Sequence, residues 1–85
     1  MASYEVLILP SAAREIESLP LESRRRVIGK IRGLATDPRP AGAIHLRGTD
    51  HLRLRVGAWR IVYRIEDRTL VVLIVRVGHR RDVHR

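Results

Sequence analysis

The sequence contains no cysteine, which excludes a disulfide framework and any thiolate metal site and suits a reducing compartment. Lysine is almost absent as well: Lys30 is the single exception among 17 basic residues, the rest being arginine. Long apolar runs are missing, since the longest, Leu70 to Val75, is far too short to cross a bilayer. The opening Met1-Ala2-Ser3-Tyr4-Glu5 lacks the basic start and apolar stretch of a signal peptide. Linkers, internal repeats and low-complexity segments are not evident. These absences lead to the expectation of a soluble, unprocessed, cytoplasmic protein with no membrane partner. With 85 residues it is expected to form one domain over 1–85, burying roughly 60% of its unfolded surface around a modest core.

What the chain does have is positive charge, +8 in all. Its distribution is uneven. Residues 1–43 carry seven basic and five acidic side chains, whereas residues 44–85 carry ten basic and four acidic ones. Coding bias would account for arginine in place of lysine, but not for this asymmetry. A one-sided basic surface attracts polyanions, chiefly nucleic acid, or an acidic protein.

Tyr4 to Leu9 reads as a first strand, rich in Val, Ile and Leu. Pro10-Ser11 opens a helix with Ile16 and Leu19 as its apolar stripe, and Pro20 ends it. A second helix runs from about Leu21 to Ala35. Its apolar positions Leu21, Val27, Ile28, Ile31, Leu34 and Ala35, with the stem of Arg24, recur at three- and four-residue spacing. Asp37-Pro38-Arg39-Pro40 stops it. The remainder reads as strands: Ile44 to Arg47, His51 to Val56, Trp59 to Ile65, and Thr69 to Val77, the last nearly all apolar, as a strand covered on both faces should be. Turn residues separate them. The expected fold is α+β: an N-terminal strand and a helical hairpin packed on one face of an antiparallel β-sheet meander.

Gly57-Ala58 suits a two-residue type II′ hairpin turn, with glycine first. Val56 then faces Trp59, and Arg55 faces Arg60. Leu52, Leu54, Val56, Trp59, Ile61, Tyr63 and Ile65 form a core face. His51, Arg53, Arg55, Arg60, Val62 and Arg64 form the opposite one. Like charges directly opposite one another cost up to roughly 1 kcal/mol. A solvated polar face would explain one arginine pair, but four arginines without an interleaved acid point to anion binding. Past the last strand comes Gly78-His79-Arg80-Arg81-Asp82-Val83-His84-Arg85. Gly78 permits a change of direction that would deliver His79, Arg80 and His84 to the end of the sheet. The plainer alternative is a frayed basic tail, against which Val83 offers an anchor.

Leu52-Arg53-Leu54-Arg55-Val56-Gly57-Ala58-Trp59-Arg60-Ile61-Val62-Tyr63, followed by the apolar strand and Val77-Gly78-His79-Arg80-Arg81-Asp82-Val83, resembles the RelE/ParE toxin superfamily. Leu46-Arg47-Gly48 and the helix start at Pro10 are similar too. The resemblance spans essentially the whole chain. It implies the toxin of a type II toxin–antitoxin pair with a RelE-like fold. For RelE-type members it implies an mRNA interferase that cuts mRNA in the ribosomal A site. By position, Arg53 and Arg55 match basic residues, often lysines, before the turn. Arg60 matches the arginine after the turn, and Arg80 the arginine after the last strand. His84 falls where many members have a tyrosine.

Metal-independent cleavage of RNA by the 2′-hydroxyl needs a base, cations on the phosphoryl oxygens, and an acid for the leaving 5′-oxygen. Arginine is a poor proton carrier and a good bidentate phosphate clamp. Arg60 and Arg80 are therefore assigned to transition-state charge, and Arg53 and Arg55, with His79 and Arg81, to holding RNA. The proton carrier should be a histidine: His84 first, then His79, then His51, with His45 structural. The four histidines form no convincing metal site, there is no nucleotide-binding loop, and no cofactor is expected. The expected partners are ribosome, mRNA and a cognate antitoxin that wraps the basic surface with acidic and apolar residues. Two alternatives stand beside this reading: a ParE-like toxin, which shares the fold and inhibits DNA gyrase without cutting RNA but does not need Arg60, Arg80 and a nearby proton carrier together, and a non-catalytic nucleic-acid-binding module.

Overall fold

The computed structural model describes residues 3–79. Strand β1 (Glu5–Ile8) leads into helices α1 (Pro10–Glu17) and α2 (Leu21–Gly33), followed by β2 (Ile44–His45), β3 (His51–Val56), β4 (Trp59–Glu66) and β5 (Val71–His79). The strands form one sheet in the order β1-β5-β4-β3-β2. β2 to β5 run antiparallel as neighbours, and β1 adds to β5 in parallel. A parallel pair cannot be closed by a hairpin, and here the two helices and β2 to β4 lie between its members in the chain.

Local chemistry sets the boundaries. Pro10 occupies the first turn of α1, where its missing N–H costs nothing. The C-terminus of α1 is finished by Arg24, whose Nη2 donates to the carbonyls of Glu17 at 2.9 Å and Leu19 at 3.3 Å. The stem of Arg24 is half-buried, in keeping with its place in the apolar stripe. Helix α2 ends at Gly33, two residues before the expected Ala35. There the carbonyl of Gly33 accepts the Asp37 N–H and the Thr36 hydroxyl, so the chain turns ahead of Pro38. β2 stops at His45 rather than Arg47. The carbonyl of Leu46 is taken by the amide and hydroxyl of Thr49, and Gly48 adopts φ +78°, so a turn replaces the strand's last two residues.

One core lies between the helical hairpin and one face of the sheet. Ala12, Ile16, Leu19, Val27, Ile31 and Leu34 meet Leu54, Val56, Ile61, Tyr63, Val72, Ile74 and Val77. Tyr63 is fully buried, and its hydroxyl donates to the Pro38 carbonyl at 2.8 Å. Burial pushes its phenol above the usual tyrosine value. At the rim, Arg39 grips Asp67 through both guanidinium nitrogens, at 2.9 and 3.3 Å, and Tyr4 donates its hydroxyl to the same carboxylate at 2.7 Å. The clamp joins the start of β1, the loop after α2 and the β4–β5 turn. The hydrogen bonds from Arg39 and Tyr4 hold the Asp67 carboxyl below its usual range.

β5 departs most from the expectation. It begins at Val71 because Thr69 and Leu70 complete a turn in which Leu70 has φ +55°. It continues through Gly78 to His79, so Gly78 does not redirect the chain. Helices cover one face of β5 only. Ile74 pairs with Tyr63 and Arg76 with Val62, leaving Val75 as the extra residue of a bulge. The bulge lets Val72, Ile74 and Val77, which simple alternation would split between faces, all enter the core.

Candidate nucleic-acid interface

The β3–β4 hairpin has the register that its turn implies: Val56 opposite Trp59, Arg55 opposite Arg60, Arg53 opposite Val62, and His51 opposite Arg64. Gly57 has φ +60° and Ala58 no positive φ, the signature of a II′ turn. Leu54, Val56, Ile61 and Tyr63 are buried beneath the helices. Alternation then places Arg53, Arg55, Arg60 and Arg64 on the face that the helices leave uncovered.

That face has two ends of different character. Toward the hairpin tip, Arg53, Arg55 and Arg60 line a cleft of about 240 Å³, closed at its side by Gly42 and Ile44. At the far end Arg64 Nη1 lies 3.5 Å from Asp50 Oδ2, and His51 Nε2 lies 3.7 Å from Asp50 Oδ1. β4 also runs on to an exposed Glu66, which shares the face with Arg64 and Arg60. The expectation of four arginines without an acid therefore fails at Arg64, which belongs to a balanced cluster with Asp50. Asp50 escaped notice because it lies in the turn before β3, outside the alternating pattern.

The bulge adds a cation that the sequence reading did not assign. Arg76 stands beside Val62 on the uncovered face, in the row that begins with Arg53. It is steadied by α1: Glu15 Oε1 accepts the Val77 N–H at 2.9 Å, and Glu15 Oε2 lies 3.7 Å from Arg76 Nη2. The carboxylate supplies the acceptor that β1, which ends at Ile8 opposite Ile74, no longer provides. Gly78 is in register with Arg60, so no side chain stands between Arg60 and the β5 edge of the face.

His79 is placed differently from the expectation. It pairs with Trp59, a residue of the core side, and their rings meet edge to face with centroids 5.7 Å apart. The imidazole therefore lies across the sheet from the arginine cleft. His51 is on the arginine face, at its balanced end. Arg80, Arg81 and His84 lie outside the described residues. Among the described residues no three His, Asp or Glu side chains converge as metal ligands, and no helix is long and apolar enough to cross a membrane.

The arrangement can bind a chain of phosphates. Guanidinium groups grouped in a shallow groove on a paired sheet offer bidentate donors to phosphate oxygens. A larger concavity, about 560 Å³ and lined by Val6, Ile8, Ile16, Ile28 and Ile31 among others, opens between β1 and the two helices. Its mainly apolar walls offer nothing comparable to an anion.

Comparison with known proteins agrees with this fold. Residues 6–84 match the family model described as the ParE toxin of type II toxin–antitoxin systems, parDE. Toxin RelG of Mycobacterium tuberculosis is 34% identical, over 96% of this chain and 97% of the relative. Among solved structures, the toxin–antitoxin complex RelBE2 of M. tuberculosis superimposes with a TM-score of 0.84 at 32% identity, covering 96% of this chain and 97% of that one. The archaeal RelE–RelB complex of Pyrococcus horikoshii gives 0.83 at 28% identity, covering 92% and 96%. The intact RelBE toxin–antitoxin complex of Escherichia coli gives 0.79 at 26% identity, covering 91% and 96%.

Proposed function

The chain belongs to the RelE/ParE family of type II toxin–antitoxin toxins, and from that membership we propose that it is an mRNA interferase, cutting mRNA in the ribosomal A site. The observation that carries this reading is the cleft lined by Arg53, Arg55 and Arg60 on the uncovered sheet face. Arg53 and Arg55 hold the RNA backbone. Arg60, together with Arg80, neutralises the charge that grows on the phosphoryl oxygens as the 2′-hydroxyl attacks phosphorus. The 2′-oxygen–phosphorus bond forms, the bond to the 5′-oxygen breaks, and a proton is delivered to the departing oxygen. Arginine stays protonated throughout, so the proton passes through a histidine, assigned to His84. The ribosome fixes the conformation of the RNA, an orientation term that a domain of this size does not supply by itself. This activity sets the protein in the cytoplasm, and a cognate antitoxin restrains it by covering the basic surface; that such a partner exists is supported by the relatives solved as toxin–antitoxin complexes.

The matched family model bears the ParE name, and that favours one alternative, inhibition of DNA gyrase without RNA cleavage. An in vitro translation reaction separates the two. The interferase reading expects ribosome-dependent mRNA cuts at fixed codon positions, abolished by Arg60→Ala. Inhibition of gyrase supercoiling with intact mRNA would establish the ParE reading instead.

A further inference from the structure

Helix α2 carries Arg24, Arg25, Arg26, Lys30 and Arg32 against one acid, Glu22. Arg24 is structural, engaged with the end of α1, and Arg25 lies 3.8 Å from Glu22. Arg26 and Lys30 are exposed and one helical turn apart. A like-charge pair at that spacing destabilises a helix by about 0.2–0.5 kcal/mol, set against the favourable placement of Lys30 in the last turn of α2, at the negative end of the helix dipole. Asp37 lines the same shallow groove as Lys30 and Leu54.

The position of Arg26 joins this row to the arginine face. Its guanidinium covers the tip of the β3–β4 hairpin: a Cβ at Gly57 would lie 3.4 Å from Arg26 Nη1. Arg55 and Arg60 flank the same turn from the other side of the sheet. Positive charge therefore continues from the cleft, around the hairpin tip, to the outer side of α2.

We propose that Arg26 and Lys30 form a second RNA-backbone contact, which takes the strand after it leaves the cleft and passes the hairpin tip. This rests on the reading of the cleft as an RNA site. Charge complementarity selects a polyanion, and continuity with the cleft selects the same RNA rather than a separate acidic protein. The contact reads no bases; it adds affinity and fixes the direction in which the strand runs off the sheet.

The test is binding of fluorescein-labelled oligouridylates, one of about five nucleotides and one of about twenty, to the full chain over a salt series. For the longer RNA, Arg26→Gln with Lys30→Gln should make the slope of log affinity against log salt shallower by about 1.4, at about 0.7 per phosphate contact on a single strand. The shorter RNA, filling the cleft alone, should be little affected. Arg25→Gln with Arg32→Gln removes the same charge from the other flank of α2 and should change the slope much less. Equal effects of the two pairs would reduce the result to net charge and overturn the contact. An unchanged slope in the Arg26/Lys30 variant, while Arg53→Gln with Arg55→Gln weakens binding, would also overturn it and leave the cleft intact. If wild type binds neither RNA, the cleft reading falls together with this one. Circular dichroism of each variant guards against misfolding as the cause.

Discussion

The two faces of the β3–β4 hairpin share a backbone and differ in what opposes each residue. On the helix side, Leu54 faces Ile61 and both are buried. One residue away, on the other side, Arg55 faces Arg60. The first pair gains from the removal of apolar surface from water, about 25 cal/mol per Å². The second sets like charges opposite each other and loses up to roughly 1 kcal/mol. One strand pair thus spends on the open face a little of what it gains beneath the helices, as expected where that face is shaped for a ligand rather than for the fold.

The largest effect should come from the helix side. Ile61→Ala removes a fully buried side chain registered between Leu54 and Val77 and should cost about 2–5 kcal/mol in urea denaturation. A loss below about 1 kcal/mol would mean that the helices do not seal this face. On the open face the cost should appear in activity instead. Arg60→Ala is expected to lower cleavage in the translation reaction by about 10²–10³-fold, the scale of losing one transition-state donor. The protein should still fold, because Arg60 lies on the face that the helices leave uncovered. An unfolded Arg60→Ala protein would place this arginine with the structural residues and remove it from the proposed site.

How much of this contrast was legible follows from what fixes register. A two-residue turn ties each hairpin position to its partner, so the pairs from Val56–Trp59 to His51–Arg64 could be read from Gly57-Ala58 alone. No such turn joins β4 to β5, and β5 is apolar at nearly every position, so alternation carries no signal there. The bulge at Val75 was therefore hidden, and with it the placement of Arg76 on the arginine face and of His79 against Trp59. The parallel pairing of β1 depends on contacts remote in sequence and left no local mark. Asp50 and Glu66 sit just beyond the alternating segments, which is why the far end of the face looked more basic in sequence than it is in space.

A smaller effect tests the cost assigned to the open face. Arg55→Thr puts a strand-forming neutral residue opposite Arg60 and should raise stability by up to about 1 kcal/mol. It should also weaken RNA binding. A destabilised Arg55→Thr protein would show that the Arg55 stem contributes packing that outweighs the repulsion.

The smallest effect belongs to the sheet's other end, where charges are matched rather than massed. Asp67 is held below the ordinary aspartate value of 3.8, first by the hydrogen bond from Arg39 and then by that from Tyr4. A carboxyl whose folded value is depressed contributes stability that is present above its unfolded value and lost as pH falls through the folded one. The clamp should therefore support the fold at neutral pH and fade below about pH 4. Asp67→Asn keeps the shape of the side chain and removes this titration. Its melting temperature should lie slightly below wild type at pH 7, as for an exposed ion pair, and the difference should shrink toward pH 3. A gap that stays constant across that range would assign the clamp's contribution to hydrogen-bond geometry rather than to charge, and would leave the arginine cleft as the part of this sheet most governed by electrostatics.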